Sequence, residues 1–505
     1  MAETTLQPDE ATRPADAPHD LPDATRWRAL AVVAISQLML VLDSSIMNLA
    51  LPSAKRALGI SDANQQWVIT AYTLTFGGLL LLGGRIADYV GRKRAFMFGL
   101  AGFAASSLLG GLAPNQGFLF AARALQGSFG ALMAPAALAI LTVTFTIPKE
   151  RAKAFGVFGA ISGGGAAIGL LLGGVLTEYA SWRWCLTVNT PIAIIALLLA
   201  ARFVHESRAH GDTSYDIPGA LTATLGLVSL VYGFTKAALD GWSSGVTLSF
   251  LGLAAVLLIA FFTIEAKVAN PLLPLRVITE RNRGGSYLAS LIVGTAIFGM
   301  FLFLGLYLQV IQGYSPVRAG FAFLPFSLGI ILTAGISSQL LPKVGPRPLM
   351  TFGLLMGTIG LTLFGRLDPT SSYTTHILPA MIVTSIGMAN VFIPISSTAL
   401  HGVGGHDAGV ASAMINTSQQ VGGSLGTALL NTVSTSAATG FAALAVNQHR
   451  YGQALPAWAT VHGFTSAFHV GAVFMLLALV ATLVFIRVGR ASLVEQSSES
   501  VAHFG

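Results

Sequence analysis

The sequence predicts an all-α polytopic membrane protein of fourteen transmembrane helices, grouped 6+2+6 into two pseudo-symmetric bundles and an insertion. Three observations carry that class. Hydrophobic residues make up 53% of the chain and charged residues only 10%, where soluble domains carry about 25%. Mean hydropathy is accordingly high, at +0.71. Apolar runs of about 20 residues, enough to cross ~30 Å of hydrocarbon at roughly 1.5 Å per residue, recur along the chain. Lys and Arg concentrate in alternate connections between those runs.

Taken in order, residues 1–26 are rich in Pro, Asp, Ala and Thr and contain no apolar core. They predict a disordered cytoplasmic tail, not a signal peptide. Six runs follow, near 29–51, 65–84, 95–113, 118–142, 154–177 and 184–204, and define an N-terminal bundle over 27–204. Two more, near 216–237 and 246–265, form a two-helix insertion over 205–266. A cytoplasmic linker spans 267–285. The last six runs lie near 286–311, 319–341, 348–366, 376–399, 409–434 and 463–487, giving a C-terminal bundle over 286–487 and a tail over 488–505. The outer loop Ser436–Val461 is expected to be an ordered connector, with a lid or a partner contact as the alternatives.

With both termini placed in the cytoplasm, inner segments outnumber outer loops in Lys and Arg almost three to one. That bias supports both termini being inside and an even helix count. It also gives the net charge of +7 an ordinary origin in topology and anionic lipid, so no nucleic-acid partner is expected. The single Cys185 excludes an intrachain disulfide and a cysteine metal cluster. No metal or cofactor is expected.

A repeat underlies the count. The loop Gly84-Arg-Ile-Ala-Asp88-Tyr-Val-Gly91-Arg92-Lys93-Arg94 follows the second run. A weaker echo, Ser337-Ser338-Gln339 to Pro342-Lys-Val-Gly345-Pro-Arg347, follows the tenth. Aligning Gly91 with Gly345 overlays the last six runs on the first six. Parallel repeats of this kind are a transporter design, with the substrate site between the halves.

Asp43 is the one acidic residue deep inside a run, and Arg123 the one basic residue. Counted from the outer helix ends, their depths differ by only about 4 Å, so the side chains can pair. Desolvation favours the protonated form of a carboxyl, and a nearby guanidinium favours the ionised form. Such a group can take a proton in one state of a protein and release it in another. Intramembrane carboxylates are usually functional. A static ion pair that fixes helix packing is the alternative.

Asp88 and Arg92 are four residues apart, at helical pairing distance. Gly165, Gly169 and Gly173 recur every four residues in the fifth run, followed by Gly174, and leave one face without side chains for close helix approach. No strand precedes these glycines and no Gly-Lys-Ser/Thr follows, which excludes a phosphate loop. Met39, Tyr72, Gln126, Phe298, Phe301, Tyr307, Gln309, Asn390, Asn416, Gln419 and Gln420 are candidates to line a wide apolar cavity. Ordinary helix packing is the competing reading for each of them.

Leu42-Asp43 to Asn48 and Pro52, the Gly84–Arg94 loop, Arg123-Ala-Leu-Gln126-Gly127, the glycine-rich fifth run, Trp182-Arg183-Trp184, Asn189-Thr-Pro191 and Leu308-Gln309 stand in one order. In this the chain resembles the fourteen-helix drug:proton antiporters of the major facilitator superfamily, the EmrB/QacA-type multidrug exporters. The resemblance covers nearly everything from Trp27 to Arg487. It implies the major facilitator fold, with Asp43 as proton site and Arg123 as coupling partner. It implies that Gly84, Asp88, Gly91, Arg92 and Arg94 belong to a loop that latches the cytoplasmic side. It implies that Gly165, Gly169, Gly173 and Gly174 form the antiporter motif, a bend and seal between the halves. Leu170 departs from pattern, standing where the family usually has Pro, and this removes the usual cause of a fixed kink.

The resulting expectation is proton-driven efflux of lipophilic drugs or antibiotics, cationic ones included, across a bacterial cytoplasmic membrane. The partners are lipid, substrate and protons, and the chain is expected to be a monomer. A dedicated self-resistance exporter of one natural product, or a metabolite transporter, fits the same features. Arg exceeds Lys threefold, as in GC-rich bacterial genomes that include antibiotic producers. A membrane enzyme would need a second polar cluster and a sensor would need a signalling domain; the sequence offers neither.

Overall fold

The computed structural model describes residues 23–488, except 63, 146, 209–215, 269–270, 404–407 and 448–451. The long helices are α1 (Asp23–Leu58), α2 (Trp67–Val90), α3 (Arg92–Gly111), α4 (Gln116–Thr144), α5 (Pro148–Tyr179) and α6 (Trp184–Phe203). They continue as α7 (Ile217–Asp240), α8 (Gly245–Glu265), α9 (Arg281–Leu306), α10 (Pro316–Val344), α11 (Pro346–Phe364), α12 (Leu378–Leu400), α13 (Ala408–Asn447) and α14 (Leu455–Phe485). Among the described residues 11 helices are long and apolar enough to cross a membrane, or 12 if the two arms of α2 form one span. Those arms, Trp67–Leu80 and Leu82–Val90, meet at 55°. The bend lies beside Gly83, which lets α2 lie flush on the Ala131 backbone of α4.

The packing of the first six helices recurs in the last six. In the first set α1 packs on α4, α5 and α6, and α3 and α4 pack on each other. In the second set α9 packs on α12, α13 and α14, and α11 and α12 pack on each other. Likewise α2 lies on α4 and α3 on α6, matched by α10 on α12 and α11 on α14. The two sets meet through α5 on α10 and α2 on α13. The glycines of the sequence echo do the same job twice. Gly91 (φ 116°) ends α2 and starts α3, and Gly345 (φ 87°) ends α10 and starts α11. Both turns need the positive φ that glycine adopts without strain.

Hydrogen bonds between the sets gather at the end where α2 begins. Thr70 and Thr427 hydroxyls lie 2.7 Å apart, as do those of Thr73 and Ser424. Asn431 Nδ2 donates to Gln66 Oε1 at 2.6 Å, and Gln65 Nε2 to Asn431 Oδ1 at 3.2 Å. Nearby, the Val317 amide donates to Glu178 of α5 at 2.9 Å. The pair α7–α8 packs beside this seam, α7 against both α2 and α13. Gln66 Nε2 reaches Thr235 of α7 at 3.2 Å.

Helix ends are fixed by local chemistry. Asn115 accepts from the Phe118 amide at 2.9 Å to cap α4, and Ser315 precedes Pro316 at the start of α10. The outward faces are apolar, as lipid requires. Val256 and Ile259 on α8 and Val480 on α14 are all more than half exposed.

Two boundaries differ from the sequence reading. Helix α1 begins at Asp23, four residues before Trp27, because neither Pro nor Gly interrupts the stretch from Asp23 to Arg26. The stretch Ser436–Val461 is mostly helical: α13 runs on to Asn447 and α14 starts at Leu455. Its alanines are strong helix formers, which loop reasoning overlooked. The tails over 1–22 and 489–505 lie outside the described residues.

Candidate functional site

Three helices meet at the Asp43 carboxyl, and two more hold its partners. The residue is fully buried in α1, a turn before Asn48. Arg123 Nη1 of α4 donates to Asp43 Oδ2 at 2.7 Å. Gln126 Nε2, one turn on in α4, donates to Oδ1 at 2.7 Å, and Asn189 Nδ2 at the start of α6 donates to the same oxygen at 2.8 Å. Three donors thus face one carboxyl group, the arrangement that suits a carboxylate.

Arg123 is itself held on every side. Its Nε donates to the Val68 carbonyl of α2 at 3.0 Å, and Nη1 also meets Gln126 Oε1 at 2.8 Å. Its guanidinium sits 4.5 Å from the ring centre of Tyr72, a cation–π contact in a dry interior. Tyr72 is stacked on Phe76, with centroids 5.7 Å apart. Ser107 of α3 accepts from Gln126 Nε2 at 2.6 Å. Asn189 Oδ1 is buried with no partner among the described residues.

The glycine face of α5 holds α1, the helix that carries Asp43. A Cβ on Gly165 would meet Val41 at 3.0 Å, one on Gly169 would meet Ser45 Oγ at 2.0 Å, and one on Gly173 would meet Ile46 at 2.8 Å. Gly174 faces the other way. Its Cβ would meet the Pro316 carbonyl of α10 at 2.6 Å. Leu170 is buried, and its carbonyl lies against Gly320 of α10. One face of α5 therefore sets the α1 position, and the next face touches the opposite set of helices.

At the far end of α2, Arg92 Nε and Nη2 donate to Asp88 Oδ1 at 3.1 and 3.0 Å. Glu206, after α6, accepts from the Lys93 and Arg94 amides at 3.1 and 3.3 Å, and so caps α3. A Cβ on Gly91 would meet Glu206 Oε1 at 2.6 Å, so the glycine admits the cap. Arg94 Nε stands 3.7 Å from Glu206. A Cβ on Gly84 would rest on Pro135 of α4 at 3.5 Å, an ordinary contact. Arg85 Nη2 donates to the Pro271 carbonyl at 2.8 Å, tying the loop to the linker after α8.

Comparison with known proteins fits this geometry. The Major Facilitator Superfamily profile matches residues 33–427. The chain belongs to the Major Facilitator Superfamily. This facilitator is 50% identical over 465 residues to the puromycin resistance protein pur8 of Streptomyces alboniger, covering 91% of each chain. It is 39% identical to the cephamycin export protein CmcT of Amycolatopsis lactamdurans, over 83% of this chain and 87% of that one. Its fold matches the crystal structure of a bacterial homolog of the human lysosomal transporter Spinster, in an inward-facing and unoccupied conformation. The TM-score is 0.65 at 16% identity, over 92% and 98% of the two chains. The facilitator is therefore a multi-pass membrane transporter.

The remaining predicted cavity residues of the facilitator do not share one place. Met39 and Tyr72 are buried in the core of the first six helices, and Gln126 belongs to the Asp43 cluster. Phe298 lies over Gly423, and Phe301 stacks on Phe323 at 5.7 Å and meets Phe326 edge-to-face at 5.2 Å. Tyr307 and Gln309 lie in a π-helical turn that continues α9, a form often met at functional sites. There the Tyr307 hydroxyl donates to the Asp368 carbonyl at 2.6 Å, while Gln309 Nε2 is buried with no partner among the described residues. Asn390 Nδ2 donates to its own helix at Ile386 at 2.9 Å. Asn416 is exposed on α13, and Gln420 packs against Gly77 of α2 between the halves. Sequence reasoning gave no role to Asn189 or Ser107. Asn189 stood only as a motif letter, and a lone serine in an apolar run carries no signal.

Proposed function

We propose that the protein exports lipophilic drugs or antibiotics, cationic ones included, in exchange for protons, with Asp43 as the proton site. The observation that carries this reading is the three-donor shell on a fully buried Asp43. Protonating Asp43 would remove one acceptor from that shell and free Arg123, which keeps its contacts to Val68 and Gln126. The change reaches α1, α2, α4 and α6 together, the helices that must move as one in alternating access. Export itself is supported by what the similar proteins are said to do, namely puromycin resistance and cephamycin export.

Fourteen spans complete the architecture in this reading. Beyond the 12 helices counted above, α3 has membrane length but opens on Arg92-Lys93-Arg94, and α5 has an apolar stretch at Ile168–Tyr179. The repeated packing supports bundles over 27–204 and 286–487, with 205–266 as a two-helix insertion and 267–285 as a linker. Both termini face the cytoplasm of a bacterial cell, and the chain works as a monomer. The polar seam at the start of α2 then closes the outer side, and the protein stands inward-facing. The Asp88–Arg92 loop is the latch that engages when the inner side closes.

A narrower reading has its own support. Identity of 50% across 91% of a puromycin resistance protein favours self-resistance to one natural product. Purified protein in liposomes with an internal pH dye tests both readings. Under an imposed proton gradient, substrate-dependent proton flux that disappears in Asp43→Asn is expected. Flux for puromycin alone would select the narrower reading. Drug movement that ignores the gradient and survives Asp43→Asn would reduce Asp43 to a packing partner of Arg123.

A further inference from the structure

Two acids outside the Asp43 cluster meet at the foot of the α7–α8 pair. Asp216 precedes α7, where Oδ1 accepts from the Gly219 amide at 2.8 Å and caps the helix. Glu265 ends α8, where Oε2 accepts from the Leu273 amide of the linker at 3.0 Å. Asp216 is 2% exposed and Glu265 3%. Each acid has one oxygen committed and one left over. Asp216 Oδ2 and Glu265 Oε1 are both buried with no hydrogen-bond partner among the described residues. The antiparallel packing of α7 on α8 sets the two carboxyl groups side by side at this end, where Asp216 and the Arg85 charge both act on Glu265.

Two carboxylates cannot hydrogen-bond, because neither carries a donor. Burying both as anions adds like-charge repulsion to the desolvation of each. One proton placed between the two free oxygens resolves both difficulties, since it supplies the missing donor and removes one charge. We propose that Asp216 and Glu265 form a second proton-binding site that holds a single proton between Asp216 Oδ2 and Glu265 Oε1. The groups that face it are the Leu273 amide from the linker and Arg85 from α2. Arg85 opens the loop that carries Asp88 and Arg92, and its Nη2 now donates to the Pro271 carbonyl. Loss of the shared proton adds a negative charge beside Arg85 and draws the guanidinium from Pro271 towards the acids. The insertion thereby reports proton availability to the loop at this end of the protein.

Infrared titration of the purified full-length protein in lipid tests this directly. Asp43→Asn is the background, so that Asp43 contributes no signal and no transport step enters the measurement. A protonated-carboxyl C=O band is expected there that survives above about pH 5, where ordinary carboxyls are ionised, and fades as pH rises further. It should be missing from Asp43→Asn/Glu265→Gln, where the glutamine amide donates to Asp216 Oδ2 and keeps the fold, checked by thermal unfolding. Asp216→Asn should remove the band as well. Arg85→Gln should move the midpoint up, because the cation favours the deprotonated pair. A band of unchanged size and midpoint after Glu265→Gln would overturn the proposal, as would the lack of any titrating carboxyl band in the Asp43→Asn protein. Either result would make the two acids static helix caps.

Discussion

Asn189 Nδ2 donates to Asp43 Oδ1 at 2.8 Å and ties the start of α6 to the middle of α1. Arg123 and Gln126 approach the same carboxyl group from α4. The charge state of Asp43 is therefore shared by helices far apart in sequence. Replacing Asn189 by Leu should leave the protein in the membrane at normal levels but lower proton-coupled transport several-fold. The lost hydrogen bond to a charged group is worth about 1.5–3 kcal/mol. Proton flux per unit of reconstituted protein measures this, and unchanged flux would remove Asn189 from the site.

The Asp43–Arg123 pair should behave as one unit in a double-mutant cycle. Arg123→Gln alone leaves a buried carboxylate without its counter-charge and should destabilise the protein by about 3–5 kcal/mol. Asp43→Asn/Arg123→Gln should lose distinctly less than that. Unfolding of purified protein in detergent reads both values. Simple additivity would mean that the two side chains do not depend on each other.

Gly169 gives a rescue experiment. Gly169→Ala places a methyl group 2.0 Å from Ser45 Oγ and should push α1 away, at a cost of about 1–3 kcal/mol and most of the transport. Ser45→Ala in the same protein removes the clashing atom, leaving the Leu42 carbonyl at 3.1 Å. Activity should partly return. Failure of the rescue would mean that α5 does not set the α1 position through this contact.

Asp88→Asn separates switching from stability. The Asp88–Arg92 pair is partly exposed, with Asp88 at 42%, and such pairs contribute about 0–1 kcal/mol. Thermal unfolding should hardly move while transport falls sharply. Equal losses in both would argue for an ordinary surface anchor.

Glu280 supplies a pH test in the linker. Burial pushes its carboxyl up, but the Asn282 and Arg283 amides, the Asn282 side chain and the Arg283 charge outweigh that and hold it below its ordinary value of 4.5. A carboxyl lowered by folding stabilises the folded state above its unfolded value, and that contribution fades as pH falls through the folded value. Glu280→Ala removes the α9 cap and should cost about 1 kcal/mol near neutral pH. The gap to wild type should close as the titration enters the acid range. A gap independent of pH would rule out the carboxylate as its source.

Much of the architecture was legible because a bilayer enforces it. Long apolar runs, the depths of Asp43 and Arg123 and the alternating basic loops are one-dimensional signals. The partners of those charges were not. Gln126 looked like a cavity residue because its i+3 relation to Arg123 says nothing about where Asp43 sits. Thr70, Thr73, Ser424 and Thr427 are small residues at helical spacing, which in sequence look like packing alone. Asp216 and Glu265 stand at helix ends, where acids are ordinary, and only the packing of α7 on α8 brings the two ends together. The glycine period in α5 was visible, but not which helix it receives.

The hydroxyl seam between α2 and α13 has a mechanical consequence. Thr73 Oγ1 also lies 3.3 Å from the Ile69 carbonyl, Ser424 Oγ 2.9 Å from that of Gln420, and Thr427 Oγ1 3.0 Å from that of Ser424. When the helices part, each of these three hydroxyls can fall back on its own helix, so none of the three is left a bare donor. A fastening whose teeth carry their own spare partners comes apart cheaply and closes again in register. Apolar teeth would adhere without register, and charged ones would resist parting in a dry interior.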